Sequence, residues 1–115
     1  MLPSQSAKEL LDLVKGEKLY TQLIQQLNKD FLLTNLNTKF ELNCTPANLK
    51  KSLHDVLLQL ITNQYDDYLN LMYRIDIAER ELLKIKNDNL TEIVEQLIFV
   101  ILKREYQKVW FKNRL

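Results

Sequence analysis

The sequence predicts an all-α protein: a compact bundle of five or six helices around a central C-terminal helix, in a single domain over residues 1–115. The first observation is that the chain has one glycine and two prolines. Glycine usually makes up about 7% of residues, and strand-rich folds need it at turns and bulges. The second is that apolar residues recur at helical spacing in several segments. The third is that the last segment is apolar on more than one side, as in a helix that other helices cover.

Two helices are predicted before residue 34. Ser6, with Glu9 three residues later, forms a capping box for a short helix whose inner face contains Leu10 and Val14. Gly16 is expected to end or kink this helix in the C′ position. A second helix is predicted over 17–33 from a stripe of apolar residues: Leu19, Tyr20, Leu23, Ile24, Leu27 and Phe31.

The segment 34–45, TNLNTKFELNCT, is predicted to be a loop. Its asparagines favour turns, because their side chains bond the backbone locally. A single extended segment without a partner strand does not make a sheet. Phe40 and Leu42 are expected to reach the core from this loop.

The segment 46–73 is predicted to form one or two helices. Thr45 is a suitable N-cap, and Pro46 suits the first helical position because its missing N–H would be unpaired there anyway. Asn63 is typical of a fresh N-cap, so a break over 62–64 is favoured. One continuous helix is the alternative.

The C-terminal part is predicted to form two more helices. Asp76, with Glu79 three residues later, gives a capping-box-like start for a helix over 77–85. After the turn KNDN, Asn89 with Glu92 is expected to cap the final helix.

The final helix has apolar residues on two sides when it is drawn at about 100° per residue. One side contains Leu90, Ile93, Val94, Leu97 and Ile101. The nearly opposite side contains Ile98, Leu102, Tyr106, Val109 and Trp110. We expect either that the chain itself covers both sides or that another molecule covers one of them.

The charges are balanced overall but unevenly distributed. The chain has 16 basic and 15 acidic residues. Residues 64–95 have four basic and eight acidic side chains, whereas residues 103–115 have five basic side chains and one acid, Glu105. The two segments are candidate electrostatic partners, within the fold or between copies of it.

The sequence argues against the common enzyme sites. One glycine leaves no glycine-rich phosphate loop and no turn of the type that presents a nucleophilic serine. His54 is the only histidine, and no second histidine or well-spaced cysteine accompanies it to hold a metal. Asp66 and Asp67 point about 100° apart on a helix, so we interpret them as a solvated face. No catalytic, cofactor-binding or metal-binding residue is predicted.

The expected location is the cytoplasm, with no membrane partner. The lone cysteine, Cys44, suits a reducing compartment. The N-terminal segment lacks the basic and apolar regions of a signal peptide. The longest apolar run, residues 97–102, has six residues, whereas a membrane-spanning helix needs about 20.

The basic and aromatic end of the last helix is the candidate partner surface. Cations interleaved with aromatic rings suit nucleic acid, but cations also complement the negative end of a helix dipole. The candidate residues are Lys103, Arg104, Tyr106, Lys108, Trp110, Lys112 and Arg114.

Three functions are therefore considered. The first is a non-enzymatic interaction or structural module that binds a protein partner or associates with itself. The alternative is a weak nucleic-acid-binding protein that uses the basic C-terminal helix end. A small enzyme or ligand carrier is the third hypothesis, and it requires a pocket near Tyr65, Tyr68, Tyr73 and Arg74.

The run LMYRIDIAERELLKI, residues 71–85, followed by a turn and the apolar segment EQLIFVILKREYQK, resembles short all-helical bacterial proteins of unknown function. The resemblance covers about the last forty-five residues. It implies an all-helical fold and no mechanism.

Overall fold

Six α-helices make up the secondary structure of the residues that the computed structural model describes, which are 6–34 and 36–114. No strand occurs in these residues. The predicted all-α fold is therefore confirmed. The helices are α1 (Ala7–Gly16), α2 (Tyr20–Leu33), α3 (Pro46–Asn63), α4 (Tyr65–Ile75), α5 (Glu79–Leu83) and α6 (Leu90–Lys112).

The C-terminal helix α6 is the centre of the bundle, as predicted. Its 23 residues give a length of roughly 34 Å, close to the longest dimension of the molecule, 36 Å. It packs against α1, α2, α3 and α4. Among the described helices, none combines the length and the apolar character needed to cross a lipid bilayer.

The chain itself covers both apolar sides of α6. On the first side, Leu90 remains partly exposed and Ile93 is half-buried, while the following residues are buried. On the second side, Trp110 is half-buried and the others are buried. Of the two expectations for this helix, the one in which its own chain covers it is correct. The buried apolar residues are Val94, Leu97, Ile98, Ile101, Leu102, Tyr106 and Val109.

Three of the predicted N-caps are present. The Ser6 side chain accepts a hydrogen bond from the Glu9 N–H at 3.2 Å. The Thr45 hydroxyl accepts from the Asn48 N–H at 3.1 Å. The Asn89 side chain accepts from the first turn of α6, with the shorter bond at 2.8 Å. Each satisfies a backbone donor that has no partner inside its helix.

Helix α1 does not end at Gly16 in the expected way. Gly16 is helical, and the left-handed residue is Lys18, with φ 60°. The Lys18 N–H donates to the Lys15 carbonyl and the Leu19 N–H to the Val14 carbonyl, both at 3.0 Å, which is the Schellman pattern. Leu19 and Val14 are both buried. Because both must pack in the core, the chain reverses direction between them, and Lys18 adopts the left-handed conformation.

The predicted cap at Asp76 is also wrong. Asp76 follows the end of α4 with φ 69°, and the Ile77 N–H donates to the Met72 carbonyl at 3.2 Å. Asp76 is therefore the left-handed residue of a second Schellman ending. Helix α5 starts only at Glu79 and has five residues, shorter than the predicted 77–85.

A break separates α3 from α4, as favoured from the sequence, although Asn63 does not cap the second helix. Asn63 is the last residue of α3, and Gln64 precedes α4 without a side-chain bond to the backbone. The Gln64 side chain instead donates to Asp67 at 3.0 Å.

The loop between α2 and α3 is fastened to α2. The Asn28 side chain accepts from the Phe40 N–H at 2.7 Å and donates to the Phe40 carbonyl at 2.8 Å. The Tyr20 hydroxyl donates to the Cys44 carbonyl at 2.7 Å. Phe40 is buried, as predicted, with its ring edge against Phe31. Leu42 is exposed, so the prediction for it was wrong; these bonds hold the backbone at Phe40 and Cys44, and none of them involves Leu42.

Replacing Asn28 by alanine is expected to lower the free energy of unfolding by about 1–3 kcal/mol, because two partly buried backbone groups of Phe40 lose their partner. Urea unfolding followed by circular dichroism measures it. Asn37→Ala, an exposed change in the same loop, is the control and should be near neutral. Equal losses in both variants would contradict this role of Asn28.

Candidate functional site

The acidic segment meets the basic tail within one chain. Arg104 donates from Nε to the Asp76 carbonyl and from a terminal nitrogen to its carboxylate, both at 3.0 Å. Lys103 forms an ion pair with Glu81 at 3.6 Å. The first contact joins α6 to the segment between α4 and α5, and the second joins α6 to α5 itself.

A groove of about 490 Å³ lies along these ion pairs. Its lining contains Arg80, Lys103 and Arg104 together with the acids Asp76 and Glu81. Because the opposite charges lie side by side, the groove does not present one sign of charge to a ligand. Its two ion pairs are partly exposed and contribute modestly to stability.

Two of the seven candidate surface residues point into the protein. Tyr106 is buried, and its hydroxyl donates a hydrogen bond to Glu17. Burial is the main cause that raises its pKa to about 12, and the bond to Glu17 adds to it. Lys108 lies 2.7 Å from an Asp30 oxygen and 3.1 Å from a Glu105 oxygen. These side chains therefore hold α6 in place.

The end of α6 keeps a small aromatic and basic surface. The guanidinium carbon of Arg114 lies 4.2 Å from the centre of the Trp110 ring, a cation–π distance. The Phe111 ring meets Trp110 edge-on, at 5.2 Å between ring centres. Phe111 and Lys112 are exposed. The structure thus brings Trp110 and Arg114 together, while Lys103 and Arg104 line the groove beside α5.

A pair of acids lies buried between α2 and α6. Glu105 is fully buried and Asp30 is 3% exposed. The Lys108 ammonium is close to both, and the Gln26 side chain donates to Asp30 at 3.4 Å. The Lys108 ammonium is near Glu105 but does not donate a hydrogen bond to it. Within the described residues, neither carboxylate oxygen of Glu105 therefore has a hydrogen-bond partner. A buried carboxylate without hydrogen bonds is costly.

Protonation of Glu105 removes this cost. Burial raises its pKa from the ordinary 4.5 to about 9. The neighbouring Asp30 carboxylate acts in the same direction, and the Lys108 ammonium opposes both effects. At pH 7 Glu105 is therefore a neutral acid that can donate to Asp30, while Lys108 balances the remaining negative charge. Like charges in one site favour such sharing of a proton.

The sequence contained a signal for this pair that the charge distribution alone does not reveal. Glu105 stands four residues after Ile101 and seven after Ile98, in the middle of buried positions of α6. Asp30 likewise stands three residues after Leu27 in the buried stripe of α2. Asp30 and Glu105 each occupy a position in the apolar stripe of a helix, so both acids are expected to be buried. Two buried acids are then expected to lie in contact with each other.

The buried pair is closed to reactants. A general acid must reach the group that it protonates, and Glu105 has no exposed surface. The described residues contain no group of three or more histidine, cysteine, aspartate or glutamate side chains placed to hold a metal ion. The geometry therefore supports a positioning role for the pair between α2 and α6.

The outward face of α4 carries an apolar stripe. Tyr65, Leu69 and Tyr73 are 55, 46 and 85% exposed and stand four residues apart, so they lie on one side of the helix. The adjoining side of α4 is buried and includes Tyr68, whose ring centre lies 5.4 Å from that of Tyr65. Tyr73 and Tyr68 thus point in different directions and do not line one pocket. We call Tyr65, Leu69 and Tyr73 the α4 stripe.

Comparison with protein-family models, curated proteins and solved structures finds no match. The resemblance of residues 71–85 to short bacterial helical proteins therefore stays a prediction.

Replacing Glu105 by glutamine is expected to change how stability depends on pH. In the natural chain the unfolded carboxyl ionises near 4.5 and the folded one near 9, so the folded state holds an extra proton between these values. Its free energy of unfolding then falls as pH rises through this window, with a slope of up to about 1.4 kcal/mol per pH unit.

The Glu105→Gln variant lacks this slope, so its stability relative to the natural chain should increase from pH 5 to pH 9. Urea unfolding at several pH values measures the difference. Glu95→Gln, an exposed change on the same helix, should keep the original pH dependence. A difference for Glu105→Gln that is constant with pH would show that Glu105 is already ionised when folded.

Replacing Lys108 by alanine is expected to lower the free energy of unfolding by roughly 3–5 kcal/mol, because it leaves the buried acids without their cation. Lys112→Ala, one turn further along the same helix and exposed, should change it by less than about 0.5 kcal/mol. Thermal and urea unfolding measure both. Similar small losses would contradict a buried ion pair at Lys108.

Proposed function

We propose that the protein is a non-enzymatic helical interaction module, and that it associates with a second copy of itself through the α4 stripe. The observation that carries the proposal is the exposure of these three large side chains on one face of one helix. Single exposed apolar residues are ordinary, but neighbouring ones form a patch of the kind that protein partners cover. Tyrosine is enriched at such interfaces.

The charges beside the stripe favour a second copy as the partner. Asp66 lies in the first turn of α4 and Arg74 in its last turn, and both are exposed. Among the described residues, neither has an ion-pair partner. A surface with an acid at one end and a cation at the other is complementary to itself when one copy is reversed.

The buried acids and the central helix support a non-enzymatic role. Glu105 is inaccessible, and α6 is occupied with packing on both of its apolar sides. A surface made of an exposed helix face can bind without disturbing that core. The proposal therefore assigns the core to stability and α4 to binding.

Nucleic-acid binding has less support. Phosphate recognition depends on cations that are free to neutralise it. Three of the five cations at the end of α6, which are Lys103, Arg104 and Lys108, already pair with acids of this chain. Lys112 and Arg114 remain at the surface, and Arg114 rests on the Trp110 ring.

Self-association is expected to appear in sedimentation velocity as a mass that rises with protein concentration. Leu69→Asp should remove this rise, because it places a charge in the middle of the stripe. Tyr73→Ala should weaken it, and since Tyr73 is so exposed, its loss leaves the core intact. Leu83→Asp is the matched control, because Leu83 is 66% exposed but lies on α5.

Circular dichroism checks that the variants remain folded. A natural chain that stays monomeric up to high concentration would overturn the proposal. A Leu83→Asp variant that loses association as fully as Leu69→Asp would show that the interface is not on α4.

A further inference from the structure

We infer that the two copies pair antiparallel along α4, around a twofold axis near Leu69 and Asn70, so that Asp66 of each copy faces Arg74 of the partner subunit. This inference rests on the proposed self-association. It adds the orientation, the register and the charged pairs that select them.

The stripe is symmetric about its middle residue. Tyr65 and Tyr73 each stand four residues from Leu69, about 6 Å along the helix axis. When a second α4 is reversed about Leu69, each Tyr65 lies opposite Tyr73 of the partner subunit, and the two Leu69 side chains meet at the axis. A twofold interface needs this kind of self-complementary surface.

The charged residues are symmetric about nearly the same point. Asp66 and Arg74 each stand four residues from Asn70, so their centre lies one residue, about 1.5 Å, from the centre of the stripe. Asp66, Asn70 and Arg74 follow each other at four-residue spacing on one flank, and all three are exposed. One axis therefore serves the apolar contacts and the ion pairs together.

The same charges disfavour a parallel pair. In a parallel pair, the flank with Asp66 and Arg74 would lie on opposite sides of the interface in the two copies, so neither residue would face its opposite charge and the two ion pairs would be lost. The other flank of the stripe leads to Tyr68 and Met72, which are buried against the rest of the chain. The partner must therefore approach on the flank that contains Asp66 and Arg74.

The size of the stripe implies a weak, reversible dimer. Standard stable interfaces bury roughly 800 Å² on each partner, more than three side chains and their flanks provide. Because the apolar contact is small, the two ion pairs at its edge make up a large share of the binding free energy. The orientation that pairs opposite charges is therefore favoured over one that does not.

A second reason exists for an acid at the start of α4 and an arginine at its end, since both complement the helix dipole. Weaker association after a single substitution would therefore not separate the two explanations. Two variants that each change α4, tested apart and then mixed, do separate them.

The experiment uses Asp66→Arg and Arg74→Asp in the full chain at low salt. In each variant alone, an antiparallel pair places like charges opposite each other at both ends, and we expect self-association to weaken by roughly tenfold. When the two variants are mixed, each contact joins opposite charges again. Sedimentation with one variant fluorescently labelled should then show a mixed dimer nearly as tight as that of the natural chain.

The outcomes distinguish the inference from the function on which it rests. Recovery on mixing supports antiparallel pairing, because a dipole effect stays the same in both copies. If the natural chain associates and Leu69→Asp prevents it, but mixing restores nothing, the pairing is overturned while self-association through α4 stands. If the natural chain does not associate at all, the proposed function fails as well.

Discussion

The burial of α6 is the constraint on which the rest of the structure depends. A helix that packs on two sides requires other helices around it, and α1, α2, α3 and α4 all contact it. Such burial stabilises the fold through its apolar area, but every polar group that enters with the helix then needs a partner. Glu105 and Lys108 are the groups for which this requirement is strictest.

The buried acids meet that requirement with a proton and one cation. Burial raises the pKa of Glu105 and so favours its protonated form, and Asp30 accepts a hydrogen bond from Lys108 at 2.7 Å. Apolar contacts between two helices tolerate small shifts along their axes, whereas a hydrogen-bonded charge does not. We therefore interpret the cluster as the feature that sets the position of α2 on α6.

Helix α4 combines the two kinds of surface. Its inner side supplies Tyr68, Leu71, Met72 and Ile75 to the core, and its outer side supplies the α4 stripe to solvent. The Schellman ending at its C-terminus places the Asp76 carboxylate where it accepts a hydrogen bond from Arg104. This partly exposed contact with α6 is thus close to the surface proposed for binding, yet it uses different side chains.

The sequence by itself determined the all-α class, the central helix and the caps at Ser6, Thr45 and Asn89, because these follow from local spacing and local hydrogen bonds. It expected α1 to end at Gly16, which is the last residue of that helix. It did not determine that Lys18 and Asp76 take the left-handed positions, since an apolar residue that packs on the core after each helix overrode the glycine and capping-box rules. It placed Lys108 among the surface cations, because the sequence shows the neighbours of a charge on its own helix and not those on the helices packed against it. Only the tertiary structure, by packing α2 on α6, brought that lysine to Asp30 and Glu105, and burial then favoured the protonated form of Glu105.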